Sequence, residues 1–323
     1  MKVHDLGGVC TLSGPHYGLE IEVENCHDIP ASEHRWTHCG DGSLRMAGVE
    51  FLTVGAVNPE ELLDHVHEWY QWYERYNWET SIRTSTHVHV NMSDRELAEV
   101  HAALGVYVLC EPLLYRYCGP MREQNIYCVP YYRAPRELDW ASHLRNDNRG
   151  CGAALAQTCK YSGLYLEPLV RFGTLEFRQA PVFDHAEQLL IWIDLVTCVT
   201  HSRFRTINEV AEKWDRDGPD EFYRTVFGDR LLMILQGLCD YDFDELADLY
   251  DVEGSLERLM PWAEDVKEWV TPPQLLVEGD GTAMYYSHTA GYRQAYIPNP
   301  IRWDDHDEEP EYEPDEYYDE EDF

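Results

Sequence analysis

The stretch YGLEIEVE, residues 17–24, alternates without a break: Leu19, Ile21 and Val23 fall on one parity, Glu20, Glu22 and Glu24 on the other. Period two is the period of a β-strand, so a strand here projects three carboxylates from one face, each about 7 Å from the next. Like charges at that spacing repel, and an ordinary solvated sheet face sets Thr, Lys or Arg across from them. A chain with this strand needs something cationic to answer the glutamates.

Three later segments behave the same way. In THVHVN (86–91) His87, His89 and Asn91 share a parity against Val88 and Val90; in TLEFRQ (174–179) Glu176 and Arg178 oppose Leu175 and Phe177; GVEFL (48–52) sets Glu50 among apolar neighbours. Four strands thus present one polar face each, with metal-ligand types in place of the usual Thr, Ser and Lys. If the sheet curls so that these faces line a hollow, the carboxylates are costly to bury without compensating cations. Glu20, Glu22, Glu50 and Glu176 with His89, and with His87 as either a ligand or a support behind one, suit Mg²⁺ or Mn²⁺ better than a closed zinc site. Four carboxylates exceed the need of one ion. Two or more ions bridging a polyphosphate use them all, and Arg178 beside them then stabilises a transferring phosphoryl group. No GxxxxGK[ST] or GxGxxG occurs, so neither a P-loop nor a dinucleotide fold supplies the phosphate contacts.

Around these strands the chain reads as α+β. Asn58 caps a helix opened by Pro59, with Leu62, Val66, Trp69, Tyr70 and Tyr73 as its core stripe. Ser93 and Glu96 form a capping box for a second helix reaching about residue 117. Residues 119–152 are irregular and rich in Tyr, Arg and Asn; Arg116, Arg122 and Arg133 there are candidate clamps for a carboxylate or for phosphates, and Asn125 a candidate contact. Two strands, 161–166 and 174–178, are expected to pair across residues 168–173. Asp184 caps a helix running to about residue 202, and helices continue to about residue 269. The expected division is a catalytic core at 1–183, a mainly helical portion packed on it at 184–303, and an acidic disordered tail at 304–323.

Charge limits the partners. Sixty Asp and Glu against 25 Lys and Arg give a net charge of −35. Nucleic acid, which needs a basic footprint, is therefore not an expected partner. Ten cysteines with no CxxC spacing point to a reduced, cytoplasmic chain. A zinc site from Cys26, His27, His34, His38 and Cys39 has no standard spacing. Neither a secretory h-region nor a membrane span is expected, since the longest apolar run, 189–199, is short and holds Asp194. The tail, with Tyr312, Tyr317, Tyr318 and Phe323 among its acids, is a solubiliser or a docking peptide for a protein partner. A homo-oligomer is compatible with the sequence.

In order, GLEIEVE, DGSL with GVEF, HVHVN, an Arg/Tyr-rich middle and LEFR resemble the amidoligases, carboxylate-amine ligases related to glutamine synthetase and glutamate-cysteine ligase. The resemblance spans residues 17–181. It implies a curved antiparallel sheet, a glutamine synthetase-like half-barrel with helices behind it, whose concave face binds ATP and Mg²⁺ and joins a carboxylate to an amine through an acyl phosphate. By motif position Glu20, His89 and Glu176 would hold one ion and Glu22 with Glu50 another. Arg178 would contact the phosphoryl group, Asn91, Arg116 and Arg122 would serve the nucleotide, and Asp41 of DGSL would orient or deprotonate the amine. Two other readings keep the same residues: a metal-dependent hydrolase using His87 and His89, which needs no ATP, and a binding or structural protein that kept the fold without turnover. The acid and amine are small molecules, peptides or protein side chains.

Overall fold

Alternating apolar residues build the central sheet. In the computed structural model the described residues are 1–260 without 8–10, 31–33, 146–153, 156 and 239–241, together with 276–277, 283–287 and 291–294. Strands β1 (Tyr17–Val23), β2 (Trp36–Gly40), β3 (Val49–Thr53), β4 (Thr86–Asn91), β5 (Leu164–Tyr165) and β6 (Thr174–Ala180) form one six-stranded sheet in the order β2-β3-β1-β4-β6-β5. Every pairing is antiparallel. The apolar parity of β1, β3, β4 and β6 is buried: Leu19, Ile21, Phe51, Val88, Val90, Leu175 and Phe177 are all sealed from solvent. The strands are α+β partners of helices that lie against this side.

Helix α1 (Pro59–Tyr76) begins where Asn58 accepts hydrogen bonds from the amides of Glu60 and Glu61, at 3.0 and 2.9 Å, and buries Leu62, Val66, Trp69 and Tyr70. Helix α2 (Leu97–Cys118) is apolar around nearly its whole circumference, as a helix enclosed on all sides must be. It is long and apolar enough to span a bilayer, yet it is buried within the protein. It packs on α3 (Ala186–Thr200), on the run α4 (Ile207–Gln236), on α6 (Val252–Leu259) and on β6. Between α4 and α6 lies the short α5 (Phe243–Leu249). The run α4 is broken at Gly218 and Gly228, whose φ of 74° and 67° lie in the left-handed region.

Two helix starts differ from expectation. The capping box of α2 is Glu96 with Glu99, because the Ser93 hydroxyl and amide are both held by the Asn91 side chain, at 2.7 and 3.1 Å. Helix α3 is capped by His185 with Gln188 rather than by Asp184. The expected pairing of β5 with β6 is present, Leu164 opposite Phe177, with a helical turn at Pro168–Arg171 between them.

The chain divides into two units, Met1–Val266 and Lys267–Phe323. The first contains the sheet and helices α1 to α6, so the expected boundary at 183/184 falls inside it. Of the second, the described residues form a three-stranded antiparallel sheet, β7 (Leu276–Val277), β8 (Ala283–Ser287) and β9 (Gly291–Gln294). The tail expected at 304–323 lies outside the described residues.

Candidate functional site

Antiparallel register turns separate motifs into neighbours. Glu22 of β1 stands directly opposite Glu50 of β3, Glu20 opposite His87 of β4, and His89 opposite Glu176 of β6. Glu20, Glu22, Glu50, His87, His89, Glu176 and Arg178 therefore occupy the sheet face away from the core. Three sets of ligand atoms fall within 4.8 Å of one another: Glu20 with His89 and Glu176; Glu20 with Glu50 and His87; Glu22 with Asp41 and Glu50. Glu20 and Glu50 each serve two sets, as they would if they bridged adjacent ions. The sets include none of Cys26, His27, His34, His38 and Cys39, so among the described residues the zinc site is not assembled.

Hydrogen bonds join the group end to end. Ser85 donates to Glu22 at 2.6 Å and contacts His87 Nε2 at 2.8 Å; His87 Nδ1 meets Glu20 at 3.0 Å; His89 Nε2 meets the other Glu20 oxygen at 3.2 Å. His89 Nδ1 rests on the Thr174 hydroxyl at 2.9 Å, which fixes the ring with Nε2 toward Glu20 and Glu176. Ser85 and Thr174 escaped the sequence reading, although they share the parity of His87 and of Glu176. They correct the expectation that this face lacks hydroxyl residues. Cys39, opposite Glu50 across β2 and β3, places its thiol 3.5 Å from the Glu50 carboxylate.

The charges are unevenly settled. Burial alone would raise Glu20, but hydrogen bonds from His87 and His89, together with their charge, hold it far below the ordinary carboxylate range. His89 is correspondingly raised against the effect of its burial, by Glu20 and by the Glu176 charge. Glu50 has no such partner. Burial first, then the charges of Glu20 and Glu22, push it up to about 8. The cluster is short of positive charge at Glu50, which is the end where a cation has most to gain. Arg178 bonds Glu176 through one terminal nitrogen, while its buried Nε has no hydrogen-bond partner among the described residues. A buried guanidinium N–H left unpaired suits an anion that is a ligand rather than a side chain.

Of the remaining candidates, Asp41 joins the cluster and the others make contacts of their own. Asn91 is spent on structure: its amide donates to the Leu12 and Gly14 carbonyls and its oxygen accepts from Ser93. Arg122, 4% exposed, donates to the carbonyls of Gln179 and Arg178 at 2.7 and 2.9 Å, so it braces β6 and is not a free phosphate clamp. Arg116 lies in the last turn of α2 near Tyr250. Arg133 lies over the Tyr132 ring, and Asn125 donates to the Ile82 carbonyl. Asp41 joins the Glu22 and Glu50 set while accepting from the Ser43 amide at 2.7 Å.

Beside Glu20 and His89 opens a cavity of about 350 Å³, walled mainly by apolar groups including Gly18, Leu52, Ala56 and Phe172. Phe172 meets His89 edge to face, with ring centroids 6.1 Å apart. Comparison with protein-family models and with curated proteins finds no match. Geometry and chemistry therefore carry the functional reading by themselves.

Proposed function

We propose that the chain is an ATP- and Mg²⁺-dependent amidoligase with a glutamine synthetase-like site, joining a carboxylate to an amine. The observation that carries this reading is the convergence of Glu20, Glu22, Glu50, His89 and Glu176 in overlapping ligand sets with Arg178 beside them. Hard carboxylate oxygens in excess of one ion's need suit two divalent ions on a polyphosphate. In this reading the sheet is the half-barrel of that family, and the 350 Å³ cavity beside Glu20 and His89 holds the uncharged part of the nucleotide.

The chemistry explains the residues. A carboxylate is a poor electrophile, so its oxygen first attacks the γ-phosphorus of ATP, and ADP leaves with the bridging oxygen. The amine nitrogen then attacks the acyl carbon, and phosphate leaves with the C–O electron pair. Bound Mg²⁺ would offset phosphate charge and orient the triphosphate. Glu20, His89 and Glu176 would hold one ion, Glu22 and Glu50 the other. Arg178, beside Glu176 on the same face, answers the charge on the phosphoryl group in flight. Asp41, beside Glu22 and Glu50, takes the proton the amine must lose.

The test is a screen of acid and amine mixtures with ATP and Mg²⁺, scored for ADP and for new mass. Glu22→Ala and Glu176→Ala are each expected to reduce turnover by about 10²-fold or more while circular dichroism stays that of the folded chain. Full turnover in both variants, or product formed without ATP, would remove the reading; the second result would favour a hydrolase.

A further inference from the structure

The β4–β6 ladder slips by one residue. Thr86 pairs with Ala180 but Val88 with Phe177, so Arg178 and Gln179 together face the single residue His87. This is a β-bulge, and bulges beside functional sites re-aim side chains. Its two side chains part company: Arg178 lies on the acidic face against Glu176, and Gln179, fully buried, enters the core.

A bulge disrupts the ladder locally, and here the two bulged residues are held by contacts outside the β4–β6 pairing. The Arg178 amide donates to the Gly163 carbonyl at 2.8 Å. Arg122 reaches in from the short helix Pro120–Glu123 and donates Nε to the Gln179 carbonyl and Nη2 to the Arg178 carbonyl. The Gln179 side-chain Nε2 donates to the Tyr107 hydroxyl at 2.7 Å, which donates to Glu111 at 2.8 Å, and Glu111 in turn accepts from the Tyr131 backbone amide at 3.0 Å. A buried guanidinium whose donors go to two successive carbonyls is a rigid two-point fixture, which lysine cannot reproduce.

We infer that Arg122 and Gln179 are positioning residues for the site: they lock the bulge in β6 that turns Arg178 toward the phosphates. The inference rests on the ligase reading, because it takes Arg178 to contact the triphosphate. Neither residue touches that ligand. Their effect is on where Arg178 points.

The experiment uses the full chain and titrates ATP in the presence of Mg²⁺, comparing the unaltered protein with Arg178→Ala, Arg122→Lys, Gln179→Met, and Arg178→Ala combined with each of the other two. Arg122→Lys and Gln179→Met are each expected to weaken ATP binding about tenfold, the scale of one charge-assisted hydrogen bond. In the Arg178→Ala background both should have almost no further effect, since the arginine they position is gone. A purely structural role would instead give additive losses, or none, and either result overturns the inference. Loss of the folded state in both variants would show that the pair serves the core alone and overturns it too. The underlying reading fails in a different way: unaltered protein that binds no ATP, or Arg178→Ala that binds it at full strength, would dispose of the ligase site itself.

Discussion

Glu50 faces Glu22 across two strands and takes the consequence of their mutual repulsion. Its pKa, raised to about 8 by burial and by the Glu20 and Glu22 charges, means that the folded chain holds this proton more tightly than the unfolded chain does. Stabilisation from that proton is full below the ordinary value of 4.5 and is lost as the pH rises through 8. Glu111, pushed up to about 7 by burial in α2, has the same sign over a lower window. Metal-free protein is therefore expected to lose resistance to urea between about pH 5 and about pH 9. Glu50→Gln should flatten the upper part of that decline. Saturating Mg²⁺ should flatten it as well, since the ion takes the proton's place and about one proton is released on binding near neutrality. Urea midpoints that fall with the same slope in Glu50→Gln would contradict this.

At the scale of elements, the strands are positioned by contacts that leave little tolerance. Gly163 is where β5 and β6 meet α2: a Cβ there would collide with the Tyr107 and Tyr115 hydroxyls, which are held by Glu111 and by the Cys128 carbonyl. Gly163→Ala is expected to cost about 1–3 kcal/mol, the usual range for overpacking, measured by denaturant unfolding; an unchanged midpoint would mean that α2 can back away. This also separates what could be read from the sequence from what could not. Alternation alone sorts Glu20, Glu22, His87, His89, Glu176 and Arg178 onto polar faces, because period two is local. Ser85 and Thr174 carry the same signal, but it does not single them out, because hydroxyls are common on any strand. The bulge at Arg178 and Gln179 breaks the period, so it is invisible to it. Arg122 looked like a phosphate clamp because nothing near it in sequence reveals that its partners are carbonyls 56 and 57 residues away. The α2 start moved from Ser93 to Glu96 because a contact with Asn91 outcompeted the cap.

The molecule as a whole carries −35, and part of that charge lies on the buried carboxylates of the site. Self-repulsion of this size destabilises the compact state and is screened by salt. Raising NaCl from about 10 mM to about 200 mM, where the screening length falls from roughly 30 Å to under 10 Å, should raise the melting temperature gradually. Millimolar Mg²⁺ at constant ionic strength should raise it further and then saturate, because occupied sites stabilise by mass action. A magnesium effect no larger than that of matched NaCl would mean screening without binding. In the proposed function the polar face of the sheet grips divalent ions and, through them, a triphosphate. Manganese titration followed by electron paramagnetic resonance tests it most directly, in the unaltered chain and in Glu22→Ala combined with Glu176→Ala, each with and without ATP. Saturable binding of two ions, tightened by ATP and lost in the double variant, is the expected result. Manganese binding that is the same in both proteins and indifferent to ATP would contradict it.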